Sequence, residues 1–329
     1  MQPSALASPY KIASAKFAAA YLITMRPYLL FVSGITGIAG MAFAQNLTPW
    51  VALPIALAAF LSYGFGQALT DCFQIDTDSI SAPYRPLTRG AITPRQVLIV
   101  SALGLTGCIA IFAIRNPINL VFGIAAGTGL ATYTFFKRRW WGGPWYNAWI
   151  VSVLFTMGYF AAAGIPLRWP HANFYSALGV VFFGYANFVL AGYFKDIEAD
   201  RKAAYNTLPV VFGRKIAAAG SDFFAAGMWV SLAGYFASTF HSESSAEVTI
   251  FTILFLLGAA ATTLAAQILL HRVQRDEDSH PAIGLVVHSY ILGLAALASA
   301  QYPSWGVILL AFYILFIITL RARPSRSQI

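Results

Sequence analysis

Residues Trp50–Gly90 read WVALPIALAAFLSYGFGQALTDCFQIDTDSISAPYRPLTRG. The first half is an apolar run long enough to cross a bilayer as a helix, which takes about 20 residues at about 1.5 Å each. At its end stand Asp71, Asp76 and Asp78, followed by a proline-punctuated turn that carries Arg85 and Arg89. A carboxylate at membrane depth is costly unless it is paired, so acids in this position point to function. A second acidic stretch, KDIEADRK at Lys195–Lys202, closes another apolar run. The two clusters hold six of the chain's twelve acidic residues, which concentrates its negative charge where two spans end.

Only 10% of the 329 residues are charged and 58% are hydrophobic. A soluble domain carries about 25% charged residues. Mean hydropathy is +0.67, and the charges fall between the apolar runs. The pattern excludes an ordinary soluble domain and predicts an all-α integral membrane protein. A barrel would need short strands alternating every second residue, and no such period occurs. Spans are expected at 27–44, 50–70, 96–114, 117–136, 146–165, 173–194, 216–239, 248–271, 283–301 and 304–321. That is ten transmembrane helices, or nine if the last pair includes an interfacial helix. Residues 1–24 are expected to form an N-terminal segment lying along the membrane surface, 25–322 the transmembrane domain, and 323–329 a tail.

The net charge of +9 is carried by loops suited to anionic lipid, so a nucleic-acid partner is not expected. With the N-terminus cytoplasmic and the sides alternating, 19 of the 21 lysines and arginines fall on the cytoplasmic side. Both acidic clusters then face the cytoplasm. The short loops, with no organelle-type leader, favour a bacterial plasma membrane. The two cysteines, Cys72 and Cys108, have neither CxxC nor metal-ligand spacing, which argues against a zinc site or a disulfide framework.

On a helix Asp71, Gln74 and Asp78 would lie at roughly 0°, 300° and 340°, on one face, with Asp76 turned away. Two carboxylates and a carboxamide are oxygen donors suited to Mg²⁺, which completes its shell with water and substrate phosphate. Arg85 adds a guanidinium fork that matches phosphate oxygens. In the second cluster Asp196 and Asp200 are one helical turn apart, among Lys195, Arg201 and Lys202, while Glu198 points elsewhere. Either cluster alone reads equally well as solvated loop charge. Two on the same side resemble a two-sided cage for a Mg-diphosphate, the leaving group of an allylic ionisation.

At this point the chain resembles the UbiA superfamily of intramembrane prenyltransferases, over most of its length. GQALTDCFQIDTDSISAPYRPLTRG is similar to the family's first motif, NDxxDxxxD followed by Pro-x-Arg-Pro, and YFKDIEADRKAAYNTLPVVFG to its second, DxxxD with a TLPV-type tail. Arg26-Pro27 and the YxxxK at Tyr133–Lys137 also match. The resemblance implies a helical bundle around a central cavity capped by the acidic motifs. It implies Mg²⁺-dependent transfer of a prenyl group from an isoprenyl diphosphate to a lipophilic acceptor, aromatic or polycyclic. By position, Asp71, Gln74 and Asp78 would hold metal on one side, and Asp196 and Asp200 on the other. Arg85 and Lys137, with Lys195 and Arg201 behind them, would hold the diphosphate, and Tyr133 would sit near the cleaving bond.

Thr70 stands where the family has Asn, Gln74 where it has the middle Asp, and Gln67 where many members have Asn. One negative charge is lost, and Asp76 could replace it only if the helix is broken there. A membrane terpene cyclase working without an acceptor therefore stays open, as does, more remotely, a non-enzymatic lipid-binding or transport protein. Gln67, Asn187 and the aromatics Tyr28, Phe31, Tyr63, Phe65, Tyr185, Phe188 and Tyr193 are expected around the cavity. The GxxxG at Gly123 and Gly127 reads as close helix packing. Asp276–Asp278 reads as a solvated loop.

Overall fold

The computed structural model describes residues 8–44, 47–241 and 248–323. Within the 1–24 segment, residues 1–7 lie outside the described residues, as does all but the first residue of the 323–329 tail. The described chain is helical and contains no strand. Thirteen helices follow in order: α1 (Ala15–Met25), α2 (Leu30–Met41), α3 (Pro49–Asp71), α4 (Ile75–Ser81), α5 (Pro94–Arg115), α6 (Ile118–Lys137), α7 (Gly143–Ala163), α8 (Ala172–Gly192), α9 (Ile197–Lys202), α10 (Leu208–His241), α11 (Ile250–Arg272), α12 (His280–Gln301) and α13 (Gly306–Arg321). Among the described residues nine helices are long and apolar enough to cross a membrane, or ten if α1 and Pro27–Met41 count as one bent span.

The bend falls at Arg26-Pro27, so the expected span at 27–44 begins just beyond it, as Pro27–Met41. The residue before a proline is driven out of the right-handed helical region. Arg26 leaves the helix in the left-handed region, φ 54°, where its N–H caps α1 on the Ile23 carbonyl, and the two segments meet at 48°. Helix α1 does not simply rest on the surface. Phe17, Ala20, Tyr21 and Met25 are buried with Ala68 of α3 and Val97 of α5, and the Tyr21 and Ser101 hydroxyls are 2.7 Å apart.

Successive helices pack pairwise, and α12 closes the ring against α2, α8 and α11. Burial separates the centre from the rim: 89% of the α12 span is buried but only 17% of the α13 span. The α2 and α7 backbones approach closely. A Cβ at Gly40 would collide with the Phe155 carbonyl, and one at Gly158 with that of Gly37. Small residues let membrane helices approach this closely and gain dispersion contact where no hydrophobic effect drives association.

Both acidic motifs fall at helix breaks. α3 ends at Asp71, Cys72–Gln74 leave the helix, and α4 ends just before Pro83. α8 passes through a tight turn at Tyr193–Lys195 and then Asp196 into α9. After α9, Ala204 (φ 56°) and Gly213 (φ 80°) reverse and kink the chain into α10. The two short helices α4 and α9 pack together, so the motifs meet at one end of the bundle.

Candidate active site

A cavity of about 220 Å³ opens at that end. Its charged mouth is lined by Arg26, Asp71, Gln74, Asp78, Arg85, Lys137, Lys195 and Asp196, with Gln67 and Tyr133 beside them. The break after Asp71 means that Asp71, Gln74 and Asp78 are not on one continuous helix. They reach the same cavity nevertheless, Asp71 from the end of α3, Gln74 from the break and Asp78 from α4.

Asp71, Asp78, Asp196 and Asp200 each lie beside a different cation. Arg26 donates through one Nη to both oxygens of Asp71, at 3.0 and 3.1 Å, and Gln67 Nε2 donates to Asp71 Oδ1 at 2.6 Å. Arg85 holds Asp78 at 2.7 Å. Lys137 donates to Gln74 Oε1 at 2.8 Å and lies 3.8 Å from Asp200. Lys195 lies 3.9 Å from Asp196. The Tyr133 hydroxyl is 3.1 Å from that of Tyr193, whose ring centroid is 5.8 Å from the Lys137 ammonium.

Asp200 does not line the cavity. It is fully buried behind it, where the Thr207 hydroxyl donates to Oδ2 at 3.3 Å, and Oδ1 makes no hydrogen bond. Burial pushes its carboxyl up to about 6, with Lys137 opposing. Asp196 goes the other way. Burial opposes its charge, but Lys195, Lys137, Arg85 and Arg26 together hold it below the ordinary carboxylate range. Burial raises Asp78 against the pull of Arg85.

Besides Asp200, two expected site residues, Arg201 and Asn187, lie elsewhere. Arg201 is exposed on α9 and outside the cavity wall, because the helix that buries Asp200 turns its neighbour outward. Asn187 is buried between α8 and α10, accepting from the Ser221 hydroxyl, and belongs to a helix contact. Asp76 does not replace the missing charge: it points out of the cavity to Arg138 at 3.0 Å and accepts from the Tyr205 hydroxyl at 3.0 Å. Of the aromatics, Tyr63, Tyr133, Tyr185, Phe188 and Tyr193 line the cavity, whereas Tyr28, Phe31 and Phe65 do not. Asp276 is not free in solvent. It pairs with Arg214 and accepts from the Glu198 backbone N–H at 2.8 Å, which ties α9 to the turn before α12.

Sequence reasoning missed Arg26 as the partner of Asp71, although an arginine beside a proline inside an apolar run needs a partner and is itself a signal. Ser33, Ser62 and Asn147 in the cavity wall carried no signal that separates them from packing residues.

The donor set is chemically suited to a hard cation. Asp71, Gln74, Asp78 and Asp196 all present oxygen to one space, and Asp200 Oδ1 is a buried acceptor with no donor. Among the described residues no three acidic, histidine or cysteine side chains converge enough to hold an ion unaided.

The arrangement defines a class: a multi-span helical membrane protein whose cavity has a mouth of interleaved acids and cations and an apolar interior, fit for a molecule with an anionic head and a hydrocarbon tail. The sequence pattern of the UbiA prenyltransferase family matches residues 32–285, and the chain belongs to that family. It is therefore a transferase of alkyl groups other than methyl. Digeranylgeranylglyceryl phosphate synthase of Pyrococcus abyssi is 27% identical over 219 residues, covering 62% of this chain and 73% of that one. The chloroplastic chlorophyll synthase of Oryza sativa subsp. japonica is 27% identical over 177 residues, covering 47% of this chain and 43% of that one. The structure of a UbiA homolog from Archaeoglobus fulgidus bound to GPP and Mg²⁺ matches with a TM-score of 0.61 at 19% identity, covering 84% of this chain and 99% of that chain. At that identity the match shows a shared fold.

Proposed function

We propose that the protein transfers an isoprenyl group from an isoprenyl diphosphate to a lipophilic acceptor, aromatic or polycyclic, with Mg²⁺ as cofactor. The observation that carries this reading is the meeting of both acidic motifs and four cations at the mouth of one cavity with an apolar interior. Asp71, Gln74 and Asp78 would hold metal from one side and Asp196 from the other, with Asp200 behind it positioning Lys137. Bound there, Mg²⁺ would neutralise the oxygens of the leaving diphosphate.

The chain's own groups do the rest. Arg26, Arg85, Lys137 and Lys195 bind the diphosphate at fixed positions in a low-dielectric site, where preorganised charge acts most strongly on a departing anion. The carbon–oxygen bond breaks with its electron pair going to the diphosphate. The acceptor's carbon or oxygen then bonds to the allylic carbon and gives up one proton. The Tyr133 and Tyr193 rings, joined through their hydroxyls, face the allylic cation as aromatic faces attract other cations. Hydroxyls of Ser33, Ser62, Tyr63 and Tyr185 offer hydrogen bonds for placing the acceptor. A shared fold with a protein that binds GPP and Mg²⁺ supports the donor, and relatives with unlike products leave the acceptor to experiment. The distribution of lysine and arginine supports an orientation with the N-terminus and both motifs cytoplasmic.

The test supplies purified protein in nanodiscs with C10, C15 and C20 allylic diphosphates and Mg²⁺, with and without membrane extract, and reads organic extracts by mass spectrometry. A prenylated compound that requires the extract and falls away in Asp200→Asn is expected. A cyclic hydrocarbon or terpene alcohol formed without extract would replace transfer by cyclisation.

A further inference from the structure

The cavity continues past its charged mouth. From Lys137 it follows α6 through Leu130 and Gly127 to Gly123, about 21 Å along the helix axis. Phe112 of α5 and Met157 of α7, both buried, close its far end. Beyond Tyr133 the α6 wall is apolar.

The two glycines of the α6 GxxxG differ. A Cβ at Gly123 would fall 2.6 Å from the Ile109 side chain, so Gly123 is a packing glycine, as its spacing predicts. A Cβ at Gly127 would meet nothing within 4 Å, although Gly127 lies in the cavity wall. Its missing side chain leaves cavity space where helix contact was expected. It stands six residues from Tyr133, about 9 Å along the axis, midway down the apolar limb.

We infer that this limb is the channel for the donor's hydrocarbon tail and that Gly127 sets the longest isoprenyl chain the enzyme accepts. A C10 tail ends near this level, and C15 and C20 tails must pass it. The inference rests on the proposed donor. A Cβ at Gly127 has room and leucine improves helix propensity, so the fold should survive Gly127→Leu while the channel is obstructed. Gly127→Ala would obstruct it less. Gly107, exposed on α5, has the same open surroundings but lies outside the cavity wall, and Gly107→Leu controls for added bulk on a span.

The probe is a set of thiolodiphosphate analogues of the C10 and C20 donors, titrated with Mg²⁺ into protein in nanodiscs, so that binding is read without turnover. In Gly127→Leu the Kd for the C20 analogue should rise at least about tenfold while that for C10 stays within about twofold, the scale on which hydrophobic pockets discriminate small changes in volume. Gly127→Ala should fall between, and Gly107→Leu should match the native protein. Unchanged C20 affinity, or equal loss for both lengths, would overturn the inference. Analogue binding with the predicted length dependence, but no transfer from the natural donors, would count against the proposed reaction and leave the channel standing.

Discussion

The two acidic motifs occupy corresponding places at helix breaks, yet they hold their charge differently. In the first, Asp71 and Asp78 both face the cavity, and each has an arginine within 3.0 Å. The residue between them, Gln74, is neutral and accepts from Lys137. In the second, only Asp196 faces the cavity, while Asp200 lies behind it with one oxygen outside hydrogen-bond reach of any donor. A buried acceptor left unsatisfied costs about 1–3 kcal/mol. The first motif is thus a rim whose charges are already matched. In the second, Asp200 Oδ1 meets its cation, Lys137, only at 3.8 Å and without a hydrogen bond, and turnover should be more sensitive to the loss of that looser pair.

The largest effect should come from Asp200→Asn. The amide keeps the shape and the contact to Thr207 but removes the charge facing Lys137. Turnover should fall roughly 10²–10³-fold, the scale of losing one preorganised electrostatic contact, with little change in the melting temperature. Asp78→Asn should cost less, because it frees Arg85 to bind diphosphate directly. Steady-state rates of the two variants measure the asymmetry, and equal losses would erase it. A smaller effect is expected from Gln74→Asp, which restores a charge to the first motif. Its Mg²⁺ midpoint in the same assay should fall severalfold, within the roughly 5–150-fold typical of coupled sites. An unchanged midpoint would place the metal away from residue 74.

Much of the fold was legible because membrane spans need only length and hydropathy. The expected spans reappear as nine helices plus one bent pair among the described residues. The bend at Arg26 was legible in Arg26-Pro27 itself, but not the use of that arginine, whose partner is 45 positions away. The facing angles for the first motif assume an unbroken helix. The break at Cys72–Gln74 leaves Asp71, Gln74 and Asp78 in the cavity for a different reason and turns Asp76 outward to Arg138 and Tyr205. The i, i+4 spacing of Asp196 and Asp200 correctly implies a helical turn, with Asp200 N–H donating to the Asp196 carbonyl at 2.7 Å. It cannot say that one faces the cavity and the other the protein. Arg201 and Asn187 share that limit: type and neighbourhood were right for a site, and orientation was set by tertiary packing. The difference between Gly123 and Gly127 lies in what faces them across the bundle, which no spacing on α6 encodes.

The central claim is that both motifs form one site for a diphosphate and Mg²⁺ together. Its acids and cations are already paired, so either ligand alone disturbs a matched set of charges, whereas the two together nearly cancel. Calorimetric titration of the C10 thiolodiphosphate analogue into the native protein, with Mg²⁺ and with Mg²⁺ removed by chelation, tests this directly. Affinity at least about tenfold higher with Mg²⁺, with an equal reciprocal gain for Mg²⁺ in the presence of the analogue, is the result expected of linked sites. Equal affinity with and without Mg²⁺ would contradict the account.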